Sequence, residues 1–317
     1  MAAAADATAP RWTEVPVGRG HYESYYLRAV SPTEPRGFWI RYTVSVLPGG
    51  QATGQLWCTY FDRDRPRPRA VRIDAGAPTS GDGAWIRLGD SSFGPAEVTG
   101  SARSGDLAAS WSLRHRSDEQ PLWHLGRDWM YTARLPRTKL LSPRPTAVFD
   151  GRLDIDGETI DVAGWPGMVG HNWGEQHAEQ WIWLSGLAFE GAESDTWLDV
   201  AVGRTRIGPV TTPWVANGAV SLAGERLALG GLGRRVGVTA VEEGCVLRLP
   251  GSGVTVTASV SAPADAFVDW DYAGPDGSAH RVRNCSVADL AVRVDRKGRP
   301  PVELTAPGRA AYEWGRH

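Results

Sequence analysis

Hydrophobic and polar residues alternate over short stretches along most of the chain, a pattern that predicts β-strands. The clearest prediction is a hairpin, because residues 38–46 and 55–61 are rich in β-branched and aromatic side chains and flank Pro48-Gly49-Gly50. Helical periodicity is weak throughout, and no repeat with a period of about 20 to 50 residues is visible. Further predicted strands cover residues 147–155, 158–163, 180–189, 196–202, 236–241, 246–249, 254–260 and 287–294. The pattern therefore predicts an all-β protein built from barrels or sandwiches.

Composition and length refine this prediction. The chain has 317 residues with 38 glycines, 22 prolines and 15 tryptophans, a mix typical of short aromatic-rich strands joined by tight turns. Its length favours two domains. Residues 135–145, LPRTKLLSPRP, contain three prolines near the midpoint and predict an extended linker. The expected domains are residues 10–142 and 143–317.

Charge and cysteine content exclude several classes of partner and site. The chain has 34 basic and 36 acidic residues, a net charge of −2, so no global field favours nucleic acid or anionic lipid. Three scattered cysteines, Cys58, Cys245 and Cys285, indicate neither a disulfide framework nor a zinc site, and a reducing, cytoplasmic location is expected. The N-terminus lacks the features of a secretory signal, and no segment has the roughly 18 consecutive apolar residues of a transmembrane helix. Phosphate-binding, dinucleotide-binding and Gly-x-Ser-x-Gly motifs are also absent.

Residues 164–186, GWPGMVGHNWGEQHAEQWIWLSG, form the segment richest in chemically distinctive side chains. These 23 residues include four Trp, two His, two Glu and five Gly. If the segment is extended, His171 and Trp173 share a face. By the same alternation Trp181 and Trp183 face away from Ile182 and Leu184, so this strand has one aromatic and one aliphatic side.

The pentapeptide Gly170-His171-Asn172-Trp173-Gly174 resembles the His-x-Trp-Gly signature of the carotenoid 1,2-hydratase (hydroxyneurosporene synthase) group, part of the AttH-like, lipocalin-related superfamily. Residues 37–42, 135–139, 142–145 and 149–151 resemble other segments of that superfamily. The resemblance implies two tandem lipocalin-like β-barrels, an apolar Trp-lined cavity at or between them, and no cofactor.

The resemblance also implies catalytic residues. In the family, the His-x-Trp pair is followed by an aromatic-x-Asp pair whose carboxylic acid protonates an isolated carbon–carbon double bond. His171 and Trp173 match the first pair, and Trp197 and Asp199 match the second. This chain departs from the hydratase pattern at two positions, and the departure at Gly170 argues against hydratase activity in the narrow sense. The hydratases resemble one another in having Tyr where Trp197 stands and Asp where Gly170 stands.

Asp199 is therefore the predicted catalytic acid, and His171 is its predicted partner. In an extended strand Asp199 shares its face with Trp197 and Ala201, so partial desolvation of the carboxyl is expected. Burial raises the pKa of a carboxyl, and a rise of about three units from about 3.9, costing about 4 kcal/mol, keeps Asp199 protonated at pH 7. His171 is expected to hydrogen-bond the acid and fix its orientation.

The predicted substrate-binding residues are aromatic and polar side chains from the same two regions. Indole rings can stabilise a developing carbocation by up to about 2 kcal/mol each when desolvated. His171 or Asn172 can instead donate a hydrogen bond to a substrate carbonyl. The full set is Trp173, Trp181, Trp183, Trp197, Asn172 and Glu175.

Plainer interpretations remain open for each feature. Tryptophans spaced by two residues often belong to a barrel core. Asp199 can alternatively pair with Arg204 or Arg206 as a satisfied buried carboxylate. His171 and His177 stand six residues apart without zinc-site spacing, so no metal is predicted.

These features predict a cofactor-independent enzyme that acts on a small apolar polyene, terpenoid or polyketide. Protonation of a carbon–carbon double bond would start a cyclisation, isomerisation or hydration. One alternative is a pericyclase that uses cavity shape only. The other is a non-catalytic carrier of a hydrophobic ligand. No nucleic-acid partner and no membrane-spanning segment are expected.

Overall fold

The computed structural model describes residues 7–207 and 209–317, and these residues are mostly β-structure. Strand content is 64% and helix content 3%, so the predicted all-β class is confirmed. Two large antiparallel sheets contain nearly all the strands, and each sheet is curled into a half-barrel. The N-terminal residues 1–6, for which the absence of a signal was expected, lie outside the described residues.

Twelve strands from the first half of the chain form the first sheet. Their order across the sheet is β4-β3-β2-β1-β12-β11-β9-β8-β7-β6-β5, and β10 pairs with another part of β11. They are β1 (His21–Val30), β2 (Arg36–Val46), β3 (Ala52–Asp62), β4 (Arg69–Asp74), β5 (Pro78–Gly81), β6 (Ala84–Leu88), β7 (Ser91–Phe93), β8 (Glu97–Ser104), β9 (Leu107–Arg116), β10 (Leu122–Trp123), β11 (Thr138–Ile155) and β12 (Glu158–Gly174).

The rest of the described chain forms the second sheet and one small ribbon. The sheet order is β18-β17-β14-β13-β24-β23-β21-β20-β19, with β22 paired to β23, while β15 and β16 pair only with each other. The strands are β13 (Gln180–Gly186), β14 (Trp197–Arg204), β15 (Arg206–Ile207), β16 (Val210–Thr211), β17 (Val215–Leu222), β18 (Glu225–Gly230), β19 (Gly237–Val241), β20 (Gly244–Pro250), β21 (Val254–Ser261), β22 (Val268–Ala273), β23 (Ala279–Arg296) and β24 (Val302–Arg316). One α-helical turn (Trp129–Thr132) and two 3₁₀ turns (Trp12–Glu14 and Ala264–Ala266) complete the described elements.

The two sheets share one strand order, and the first sheet has two further strands, β6 and β5, at one edge. In each, the first strand of its half pairs with the last, β1 with β12 and β13 with β24. The last two strands form a long hairpin in both halves, and a short strand, β10 or β22, pairs with the first arm of that hairpin. Register also corresponds, because Gly174 pairs with the second residue of β1 and Gly315 with the second residue of β13. Both glycines follow a tryptophan.

Local sequence explains the strands well. The predicted hairpin is confirmed, since β2 and β3 pair with Phe38 opposite Tyr60. In β21 alternate residues are buried, Val254 and Val256 among them, as expected for a sheet with one face on an apolar core. Each sheet has such a core.

The sheets also contact each other. A third apolar cluster lies between them, with members from both halves: Leu122, Met168, Trp183, Leu187, Trp197, Ala219 and Ala311. The fully buried guanidinium of Arg28, on β1, reaches the second sheet, where it donates to the carbonyl oxygens of Ser185 (3.2 Å), Ser286 (3.2 Å) and Arg309 (2.6 Å). These contacts hold the facing surfaces together.

The predicted linker at residues 135–145 is largely wrong. From Thr138 onward this segment is the beginning of β11, which pairs with β12. Pro143 and Pro145 are tolerated because they fall at register shifts, where a ladder hydrogen bond is already missing. The chain passes between sheets after Gly174, whereas the boundary expected at residues 142 and 143 lies inside β11. That division into domains stays a prediction.

Candidate functional site

Asp199 lies between the two sheets, on the face of β14 that points away from the second core. Leu198 and Val200 belong to that core, while Trp197 belongs to the cluster between the sheets. The predicted alternation in this strand is therefore confirmed. Asp199 itself has no accessible surface.

Three side chains from both sheets hold the Asp199 carboxylate. Ser142 on β11 donates its hydroxyl to Oδ2 at 2.5 Å, and the indole Nε1 of Trp183 on β13 donates to Oδ1 at 2.9 Å. The Nε2 atom of His124, in the loop after β10, lies 3.4 Å from Oδ2. Neither Arg204 nor Arg206 is a partner, because Arg204 donates to Gln180 and Arg206 pairs with Glu179. The predicted arginine pairing of Asp199 is wrong.

The contacts of His124 fix where its hydrogens are. Nδ1 is 3.2 Å from the carbonyl oxygen of Asn217, and Nε2 is 3.0 Å from the Ser142 hydroxyl oxygen. A carbonyl oxygen only accepts, so Nδ1 is assigned a hydrogen. Ser142 gives its own hydrogen to Asp199, which leaves its oxygen to accept one from Nε2. With hydrogens on both nitrogens, the imidazole would satisfy the Asn217 carbonyl and the Ser142 hydroxyl at once.

The expected rise in the Asp199 pKa is wrong. Burial alone raises this pKa, but the charge of His124 and the hydrogen bonds from His124, Ser142 and Trp183 outweigh burial and lower it. The expected rise took account of burial alone, because His124 is 75 residues away from Asp199 along the chain. The lowered pKa favours the carboxylate form of Asp199.

The prediction that His171 is the partner of Asp199 is wrong. Its side chain points into the first sheet, where Nε2 lies 2.8 Å from Oε1 of the buried Glu23 on β1. The ring stacks on Tyr25 at 4.2 Å between centroids and lies 4.6 Å from that of Trp173. His171 and Trp173 share a face as predicted, but that face belongs to the interior of the first half.

Glu23 anchors the beginning of the described chain. Its carboxylate accepts the backbone N–H groups of Arg11 (2.8 Å) and Trp12 (2.9 Å). His21 lies 3.3 Å from the same carboxylate. Burial tends to raise the pKa of Glu23, but hydrogen bonds and charges from His171 and His21 lower it to about 2.

The remaining predicted binding residues are divided among different places. Trp181 donates to Glu313 on β24 at 2.8 Å, while Ile182 and Leu184 lie in the second core, so the predicted aromatic and aliphatic sides of β13 are confirmed. Asn172 lies opposite Ser24 on β1, and its side-chain oxygen is buried without a hydrogen-bond partner among the described residues. Glu175 forms a surface ion pair with Arg19 at 2.6 Å and does not contact Asp199.

Sequence reasoning missed His124, Ser142 and Tyr26. His124 had no motif around it, and Ser142 lay in the supposed linker. Tyr26, on β1, packs edge-on against Trp183 with ring centroids 5.4 Å apart, in the cluster beside Asp199. The signal that could have found Tyr26 is its alternation with Tyr22 and Ser24 on one face of a strand.

No metal-binding cluster adds to this arrangement in the described ranges. Residues 7–207 and 209–317 contain no cluster of three or more His, Cys, Asp or Glu suited to a metal, and none of their helices is long and apolar enough to span a membrane. One hollow on the first sheet, of about 410 Å³, is lined by Glu97, His115 and Asp150 and does not include Asp199. The Trp-lined cavity stays a prediction.

Comparison with known sequences gives distant relatives. No protein-family model matches the chain. Two Mycobacterium tuberculosis proteins from different strains, MT0513 and Rv0493c, both described as uncharacterized, are each 28% identical over 304 residues, covering 91% of this chain and 84% of the relative.

Comparison with solved structures places the fold. CghA, crystallised with Sch210972, has a TM-score of 0.63 at 11% identity, covering 97% of this chain and 91% of CghA. Kievitone hydratase from Nectria haematococca gives 0.56 at 10% identity with 95% and 89% coverage. An AttH-like protein from Nitrosomonas europaea gives 0.53 at 14% identity with 93% and 92% coverage. The chain therefore has the fold of the AttH-like, lipocalin-related superfamily to which these three structures belong.

Proposed function

We propose that this protein is an enzyme that protonates a carbon–carbon double bond of an apolar substrate bound between the two sheets. The observation that carries the proposal is the buried pair of Asp199 and His124, with Nε2 3.4 Å from Oδ2, beside aromatic side chains where the two sheets meet. No cofactor is required for this chemistry.

The pair has two tasks in the proposed reaction. His124 Nε2 gives its proton to the Ser142 hydroxyl oxygen as Ser142 passes its own proton to Asp199 Oδ2. The carboxyl then gives that proton to a substrate carbon, which leaves a carbocation on the adjacent carbon. Asp199 is then a carboxylate again and stabilises that cation together with the rings of Trp183 and Trp197. Attack by water followed by loss of its proton gives hydration, and loss of a proton from a neighbouring carbon gives isomerisation. Attack by a second double bond closes a ring and moves the cation, so a cyclisation then ends by loss of a proton or attack by water. In each case the released proton returns to His124.

Access to the acid requires movement. Asp199 has no accessible surface, whereas the neighbouring Tyr26 retains some. We infer that a substrate enters beside Tyr26 and reaches Asp199 when the side chains packed on Trp183 shift. The inferred path lies wholly in the cluster between the sheets.

Two neighbours in fold support the proposal by analogy. Kievitone hydratase bears the name of an enzyme, and CghA was crystallised with the small molecule Sch210972.

Solvent deuterium tests the proposal directly. Wild-type protein and the Asp199→Asn variant are incubated in deuterated water with linear polyprenols, carotenoid precursors and polyenes, and products are analysed by mass spectrometry. We expect the wild type to place deuterium on carbon and the variant to lose this activity by at least about 100-fold. The Glu23→Gln variant is the matched control, because it removes the other buried carboxylate beside a histidine, and its rate per folded molecule should stay unchanged.

Carriage of a hydrophobic ligand is the competing function. A buried carboxylate surrounded by three polar side chains, as Asp199 is, also occurs where the carboxylate has a purely structural role. Tight ligand binding without deuterium incorporation by the wild type would contradict acid catalysis and favour the carrier. Product formation without deuterium would favour a pericyclase.

A further inference from the structure

Tyr26 presents an uncommitted hydroxyl to the space between the sheets. Its ring packs on Trp183, whose indole N–H donates a hydrogen bond to Asp199. Among the residues that the structure describes, the Tyr26 hydroxyl has no hydrogen-bond partner, and the side chain keeps part of its surface accessible. The nearby hydroxyl of Tyr22, in contrast, donates to Thr138 at 3.2 Å.

Gly170 makes room for this phenol. It is the β12 residue opposite Tyr26, and a Cβ atom built at Gly170 would overlap the phenol ring and its oxygen. Any side chain at residue 170 would therefore displace the Tyr26 hydroxyl. The position of the Tyr26 hydroxyl therefore depends on glycine at residue 170.

Charged groups on several sides keep Tyr26 a donor. Burial and the negative charges of Asp199 and Glu313 raise its pKa well above the ordinary value, with Arg41 acting in the opposite direction. Arg41 is the residue opposite Tyr26 on β2, and its guanidinium carbon lies 4.3 Å from the ring centre of Tyr272 in the second sheet. A neutral phenol flanked by a cation suits an oxygen that gains negative charge.

We propose that the Tyr26 hydroxyl binds a carbonyl oxygen of the substrate, so that the substrate is an unsaturated, mostly apolar aldehyde, ketone or ester and not a pure hydrocarbon. The inference rests on the proposed function for the location of the site and narrows its substrate class. Tyr26 fixes one end of the molecule in the first sheet while the double bond faces Asp199 in the second.

Matched ligand pairs test the assignment. Quenching of tryptophan fluorescence gives dissociation constants for farnesal against β-farnesene and for all-trans-retinal against axerophthene, its hydrocarbon counterpart. We expect the wild type to bind at least one aldehyde about five- to tenfold more tightly than its hydrocarbon, the value of one hydrogen bond. Tyr26→Phe should reduce this preference to within about twofold without weakening hydrocarbon binding.

Two further variants separate the hydroxyl from its surroundings. Tyr22→Phe, on the same strand and face, should retain the full preference. Gly170→Ala should lose it although the hydroxyl remains in the protein, because the new methyl group displaces the phenol. Circular dichroism and thermal unfolding confirm that each variant is folded.

The outcomes also separate this inference from acid catalysis. No preference in the wild type for either aldehyde, or a preference retained by Tyr26→Phe, overturns the role of Tyr26 even if deuterium enters the products. A preference lost in Tyr26→Phe supports that role even if no deuterium is incorporated. Asp199→Asn should leave the preference intact.

Discussion

The two halves of the molecule share a strand order but differ in what they place at corresponding positions. Inside the first sheet, β1 and β12 contribute Glu23, Tyr25 and His171. At the corresponding register of the second sheet stand Ile182, Leu184 and Tyr312, all buried in an apolar core. Topology therefore fixes which positions face inward, and the residue at each position decides whether the interior is polar or apolar.

The facing surfaces differ just as clearly. Arg41 lies opposite Tyr26 in the first sheet, and Asp199 lies opposite Ser185 at the corresponding place in the second. One half thus supplies a cation and the other an anion to the region between them. This asymmetry indicates that the chemistry arises where the halves meet, while the Glu23 pair holds one half together.

The largest expected effect is on the Asp199 pair itself. His124→Gln removes the imidazole that supplies the proton in the proposed reaction. Deuterium incorporation should therefore fall by about 10²-fold or more. The double variant with Asp199→Asn should be no slower than the slower single variant, because the two residues act as a unit. Rates in the same deuterium assay measure this, and multiplicative losses would show that the residues act separately.

The second effect concerns stability. Glu23→Gln leaves His171 and the N–H groups of Arg11 and Trp12 without their charged acceptor, and the free energy of unfolding should fall by about 4 kcal/mol. Ile182→Val, at the corresponding position in the second half, should cost only about 1 kcal/mol. Urea unfolding measures both, and equal losses would show that the Glu23 pair has no special structural role.

The third and smallest effect is a dependence on acid pH. The pKa of Glu23 is lowered from 4.5 to about 2, so its contribution to stability is fully present above pH 4.5 and is lost as the pH falls towards 2. The loss due to this group should be about 3 kcal/mol. Unfolding measured between pH 5 and about 2 should show it for the wild type and not for Glu23→Gln. Parallel curves for the two proteins would contradict the assignment.

Much of the fold could be predicted because alternation is local. The hairpin of β2 and β3 and the faces of Trp197, Asp199 and Trp183 followed from the residues alone. The division of the chain into domains of 10–142 and 143–317 stays a prediction.

The partners within the site could not be predicted, because they come from distant strands. Ser142 and His124 reach Asp199 across 57 and 75 residues of chain, and nothing near them in sequence marks this contact. The same limitation produced the error about the Asp199 pKa. His171 was recognised by its motif, but which sheet it faces depends on the pairing of β12 with β1.

The shared strand order allows the two halves of the chain to be connected in the opposite order. The backbone N–H of His317 donates to the carbonyl of Glu179, so the end of β24 lies beside the beginning of β13. Likewise Gly174 ends the first half beside Tyr22. A circular permutant that starts at Gln180, joins His317 through a designed linker to Thr8 and ends at Gly174 would contain all the strands of both sheets. The order of the halves along the chain is thus separable from the architecture they form.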